Sequence, residues 1–209
     1  MNKNLSTTAP LVITAVTIAT VLFPEGAAAH LVTTGMGAVY DNIGHLFLTP
    51  EDLIPAIAVG LYAGLRGKAI GRQTLFIFPL AWLIGSIAGF VATSLPVLPL
   101  QMLSFLLVGG LIAADLHLND KAIAILVILV GAMHGLYNGV TLDVRQGASG
   151  FFLIPCVLFV LIAITSALTI SLRPAWARVV IRVMGSWIAA VGLLMFGWMA
   201  KGVLTIVTG

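Results

Sequence analysis

Of 209 residues, 60 % are hydrophobic and only 8 % are charged, and the mean hydropathy is +1.15, whereas about a quarter of the positions in a soluble domain carry charge. The chain reads as an integral membrane protein. A formal charge of +3 does not point to nucleic acid, because the basic residues stand at the ends of apolar runs, where they orient a protein in its bilayer.

Residues 1–29 read as a secretory signal. Lys3 lies in a short leading segment, residues 9–23 are apolar, and Ala27-Ala28-Ala29 offers a small-residue cleavage site. Cleavage is expected after Ala29, leaving 30–209 as a single transmembrane domain; the alternative is an uncleaved first helix. His30 would then begin the mature chain, its free amine and imidazole forming a chelating pair at the entrance.

Residues 30–55 gather His30, Asp41, His45, Glu51 and Asp52 in a chain that has few other polar groups. Asp41 and His45 are four apart and would share a face of a helix, although Asp41 equally suits a cap or turn. Thr49-Pro50-Glu51-Asp52 predicts a helix start, with Thr49 as N-cap, Pro50 at the first position and acids in the first turn. This helix runs to Arg66, about 25 Å. One acid is expected to face the bundle and the other water.

Residues 73–114, 122–142, 146–172 and 183–200 contain no Asp, Glu, Lys or Arg. Runs of about 17 to 25 apolar residues cross a bilayer as helices, and no alternation with period two supports a β-barrel. Two prolines in SLPVLPLQ divide the longest run. The remaining helices are therefore expected near 73–94, 100–115, 121–142, 151–172 and 173–200, giving an all-α, six-helix transmembrane bundle after the signal peptide.

With a secreted mature N-terminus, Arg66, Lys68, Arg72, Lys121, Arg173, Arg178 and Arg182 fall inside, and only Arg145 and Lys201 outside. This bias predicts a bacterial inner membrane with the mature N-terminus periplasmic. Glycines at four-residue spacing (Gly60/Gly64, Gly85/Gly89, Gly131/Gly135/Gly139) predict close helix packing. Cys156 stands alone in an apolar run and is expected to be a small buried hydrophobe.

In GAMHGLYNG, His134 and Asn138 share a helical face inside the membrane. Such a pair is either a functional site or interhelical glue. Counted from the inner end, His134 lies roughly 20 Å up its helix, level with His45, Glu51 and Asp52. The expectation is one wet pocket beneath the outer leaflet. Imidazole and carboxylate donors suit Ni²⁺, Zn²⁺, Co²⁺ or Cu²⁺ better than Mg²⁺ or Ca²⁺. His117, beside Asp115 and Asp120, reads as a solvated loop residue, and Met36, Met102 and Met133 as packing.

These residues resemble the HupE/UreJ family, membrane proteins regarded as nickel permeases. The family carries His, five residues, Asp, His at the start of one transmembrane helix, and His-Gly-x-Ala/Val-His-Gly-x-Glu in a central one. Here the first pattern is matched by His45, five residues, Glu51 and Asp52. The second is matched by His134-Gly135 and Gly139, with Asn138 in place of the second His and Thr141 in place of the Glu. The donor set is thus richer in oxygen than the family's.

The resemblance implies a divalent-metal uptake permease, not an enzyme, which binds its ion from the periplasmic side. The site would use His45, Glu51, Asp52, His134 and Asn138, with His30 and Asp41 as outer contacts. The metal ion and the lipid bilayer are the expected partners, and self-association is left open. A metal-binding accessory or sensor is the alternative. An intramembrane protease built on Gly147-Ala148-Ser149-Gly150 lacks a histidine after His134 to activate the serine.

Overall fold

The computed structural model describes residues 38–92, 100–141, 147–172 and 174–208, without the side chains of 38, 39, 41, 42, 45, 147–150 and 200–208. All of these belong to the unit Thr33–Gly209. The expected signal segment and His30 lie outside the described residues. Those described form helices and no strand: α1 (Ala38–Leu48), α2 (Pro50–Arg66), α3 (Lys68–Ala92), α4 (Leu100–Ala113), α5 (Asp120–Thr141), α6 (Gly147–Ser171) and α7 (Ala175–Thr208). Four segments are long and apolar enough to cross a membrane: Lys68–Ala92, Asp120–Thr141, Phe151–Ser171 and Ala175–Met199.

α2 begins where expected, but Thr49 does not cap it with its side chain. Its carbonyl instead accepts the amides of Asp52 and Leu53 at 3.0 Å each. Gly67, at φ +104, ends α2 in a conformation open to glycine, and α3 starts on the next residue. The chain reverses in one residue rather than through the longer basic turn the sequence suggested, so Lys68 and Arg72 lie in the first turns of α3. The polar stretch before α2 also holds a helix, α1, which the Asp41/His45 spacing allowed but for which the sequence reading set no bounds.

The bundle is apolar on both sides. Tyr62, Phe78, Trp82, Phe105 and Leu158 are buried, while Leu80, Ile84, Leu129, Ile164 and Trp187 are exposed. In water such an outer surface would be untenable; against lipid chains it is the favourable one. Cys156 is exposed on this surface rather than buried.

Three helix pairs approach backbone to backbone. On α5, a Cβ at Gly131, Gly135 or Gly139 would meet the carbonyl of Phe78, Trp82 or Ser86; on α3, Gly85 and Gly89 face the carbonyls of Ala132 and Leu136. Contacts rise in step along both helices, so α3 and α5 run parallel. Gly60 and Gly64 place α2 parallel against α6 at Thr165 and Thr169, and Gly109, Gly185 and Gly192 join α4 antiparallel to α7.

One end of the bundle is tied by charge. Asp115, in the turn after α4, accepts hydrogen bonds from Arg66 and, at 2.6 Å, from Arg178 Nε. Arg182 Nε donates to the Ala113 carbonyl at 2.9 Å and the Tyr62 hydroxyl to the Leu116 carbonyl at 3.0 Å. The turns carrying Arg66, Asp115 and Arg178 thus share one end, as the charge pattern requires.

Candidate functional site

Asp52 lies in the first turn of α2, fourteen residues before Arg66 and so roughly 20 Å from the arginine end. His134 lies equally far along α5 from Asp120. The two meet: His134 Nδ1 is 2.8 Å from Asp52 Oδ1. On the other side of the ring, Nε2 is 2.8 Å from Ser104 Oγ of α4, and Ser104 donates to the Gln101 carbonyl at 2.6 Å. The Trp82 indole of α3 stacks on the imidazole, with centroids 5.7 Å apart and planes 15° from parallel.

Four helices therefore enclose one imidazole. Its position depends on the glycine contacts of α3 and α5, since Gly135, next to His134, abuts the Trp82 carbonyl.

Proton accounting constrains the group. A serine hydroxyl has one proton, and with it directed to Gln101, His134 Nε2–H donates to Ser104 Oγ. Nδ1 and Asp52 Oδ1 then share a single further proton. Whichever atom carries it, the pair is net neutral, which is what its burial favours: His134 is 0 % and Asp52 4 % exposed, and an isolated charge there would be costly.

Two nearby groups are left unpaired. Asn138, one helical turn beyond His134, is 4 % exposed and its Oδ1 has no partner; Trp82 Nε1, on the indole that covers the imidazole, has none either. Buried polar atoms are satisfied in the great majority of cases, so these two are exceptions, one on the turn after His134 and one on the ring stacked against it.

The sequence-derived set separates accordingly. Asp52 and His134 are in contact and Asn138 is on the adjoining turn. Glu51 is exposed. His45 and Asp41 lie on α1, but their side chains lie outside the described residues. Thr141 donates to the Asn138 carbonyl at 2.9 Å, and His117 is exposed in its loop.

The imidazole of His134 is fully buried, with Trp82 stacked on it and Ser104 at Nε2. Among the described residues, no three His, Cys, Asp or Glu side chains form a metal-binding group. Ser104 and Trp82 were not identified from the sequence. A serine in an apolar helix gives no signal there, and a tryptophan reads as packing.

A family model described as HupE / UreJ protein matches residues 18–195. The chain belongs to the HupE/UreJ family. Protein HupE of Rhizobium leguminosarum bv. viciae is 28 % identical over 185 residues, covering 84 % of this chain and 93 % of the relative. No solved structure matches.

The HupE/UreJ family is not a family of enzymes. The order carboxylate, imidazole, hydroxyl is that of a hydrolytic triad, but the Ser104 hydroxyl is 3 % exposed and directed to a helix carbonyl. In this HupE/UreJ chain the two motif-like segments meet through Asp52 and His134.

Proposed function

We propose that this HupE/UreJ protein is a six-helix inner-membrane permease, made with a cleaved signal peptide, which takes up a divalent transition-metal ion from the periplasmic side. The observation that carries the reading is the Asp52–His134 pair, 2.8 Å apart and buried among membrane helices, beside the unpartnered Asn138 Oδ1. A charge-capable pair inside a bundle is costly and marks an ion or substrate path.

Asp52 on Nδ1 orients the ring, as carboxylates commonly do behind metal-bound histidines, which leaves Nε2 to the metal. Glu51, exposed at the same end as Asp52, would collect and partly dehydrate the ion first, a role that the sequence also offers to Asp41, His45 and His30. Nickel and cobalt fit a set of one imidazole with several oxygens. Because the imidazole must lose a proton to bind, uptake falls at acidic pH.

The test is uptake of nickel or cobalt into vesicles reconstituted with the full chain. Asp52→Asn and His134→Gln, which keep a hydrogen-bonding side chain, are expected to abolish flux while the protein keeps a cooperative melting transition. Native flux in His134→Gln would overturn the reading. The full burial of His134 favours a second reading, an accessory protein that holds its ion; binding without flux in the native chain would select it.

A further inference from the structure

We propose that the groove between α3 and α6 at the arginine end binds an anionic phospholipid, its phosphate held by Lys68 and Arg72 and one acyl chain lying along the apolar wall beyond them.

The groove follows from residue size. α3 and α6 run antiparallel: a Cβ at Gly71 would meet Ser166 and Ile170, the Phe76 ring packs edge-on to Phe159, and further along Phe90 packs edge-on to Phe151. Between the Phe76–Phe159 contact and the charged end the facing residues include Gly71, Ala163 and Ala167, and a cavity of about 720 Å³ opens there. That is within the usual range for a ligand site.

Its lining is polarised along the helix axes. Lys68, Arg72 and Leu75 stand on one face of α3, and Ala163, Ala167 and Ile170 on one face of α6, each set at intervals of four and three residues. The two cations lie in the first turns of α3, and Leu75 lies about 10 Å beyond Lys68 toward the middle of the bundle. A phospholipid has the same order, charge at the surface and hydrocarbon beneath it.

Charge selects the class of lipid. Asp115 is already engaged by Arg66 and Arg178, and neither Lys68 nor Arg72 has an ion-pair partner among the described residues. Ser166 and Ser171 direct their protons to the carbonyls of Ile162 and Leu168, so the two cations are the side-chain donors that the groove offers an anion. The carbonyl end of α6 opposes an anion with about half a charge, which the amide end of α3 offsets. Two full positive charges remain. A zwitterionic head would bring its own ammonium to them, whereas a phosphodiester without an amine keeps its whole charge, and basic pockets between transmembrane helices hold such headgroups. Free phosphate would meet the cations and leave the apolar wall unfilled. That wall opens to the lipid-facing surface, where Ala167 is exposed.

The purified full-length protein in detergent, mixed with dioleoyl phosphatidylglycerol or with phosphatidylcholine of the same chains, tests this by thermal unfolding and native mass spectrometry. Phosphatidylglycerol is expected to raise the melting temperature and remain bound, and phosphatidylcholine to do neither. Lys68→Gln combined with Arg72→Gln should weaken phosphatidylglycerol binding about fivefold for each charge removed. Lys121→Gln, which removes an exposed charge from the first turn of α5 at the same end, should leave it at the native value. Ala167→Phe fills the wall, keeps both cations and should also weaken binding.

Equal effects of the two lipids overturn the proposal. A loss in Lys121→Gln as large as that in the double variant overturns it too, by showing diffuse attraction to the surface, and native binding by Ala167→Phe removes the apolar half of the site. Inorganic phosphate that raises the melting temperature as far as phosphatidylglycerol does, and displaces it, would make the groove a site for a free anion instead. If the double variant loses its cooperative transition, the two lipids compared on the native chain and on Ala167→Phe decide.

Discussion

At His134 the structure makes a demand on single residues that can be measured without any cargo. Both ring nitrogens are engaged, and the partners are themselves buried. His134→Ala leaves Asp52 without its proton-sharing partner in an apolar interior, and breaking such a buried pair costs about 3 kcal/mol or more. His134→Gln retains a polar group and should lose less. Glu51→Gln, one residue from Asp52 but exposed, should fall within about 0.5 kcal/mol of native. Thermal unfolding in detergent ranks the three, and a Glu51→Gln as damaging as His134→Ala would contradict the division of the two acids. Residue identity alone brought Asp52 and His134 into consideration, because charge and imidazole are conspicuous in so apolar a chain. It did not indicate that Asp52 takes Nδ1, nor that Ser104 takes Nε2, since those depend on the rotation of α2 and α4 about their axes.

Helices were the legible layer, for a physical reason. A charge-free run long enough to cross a bilayer has few alternatives to a helix, because backbone groups in hydrocarbon must be satisfied within the segment. The expected 100–115 and 121–142 became Leu100–Ala113 and Asp120–Thr141. The exceptions were local: Gly67 shortened a turn, and the polar segment before α2 coiled into α1. Glycine spacing forecast close packing without naming partners, and the structure supplies them, with different consequences at different glycines. A Cβ at Gly135 would collide with the Trp82 carbonyl, a backbone atom that cannot step aside, whereas one at Gly110 would meet nothing within 4 Å. Gly135→Ala should therefore push α3 from α5, at a cost of about 1–3 kcal/mol or above, and disturb Trp82 on His134. Gly110→Ala should be neutral or gain a few tenths of a kcal/mol from helix propensity. Melting temperatures of the two variants decide; similar losses in both would mean that the α3–α5 contact is not what these glycines serve.

Across the whole molecule, the Asp52–His134 pair and the arginine end are separated by the length of α2, and α4 connects them: Ser104 touches His134, and the turn after α4 carries Asp115. Asp115 has φ +53, a conformation that Asp and Asn tolerate better than most residues. Its carboxylate neutralises Arg66, whose side chain is only 3 % exposed. Hydrogen bonding from Arg178 first, and then from Arg66, holds the Asp115 carboxyl below the usual carboxylate range, against the opposing effect of burial. A depressed folded-state pKa contributes stability that is present above the unfolded value of about 3.9 and lost as pH falls through the lower folded one. Asp115→Asn keeps the backbone conformation and removes the charge, isolating this term. It should melt below the native protein by a constant margin from neutral pH down to the ordinary carboxylate range. The margin should shrink only in stronger acid, as the native Asp115 takes up its proton. Unfolding followed across that range checks this: a margin that closes already between neutral pH and the ordinary carboxylate range would show that Arg178 and Arg66 do not hold this carboxylate ionised, and that the end opposite the candidate site is held by the Tyr62 and Arg182 hydrogen bonds rather than by this charge.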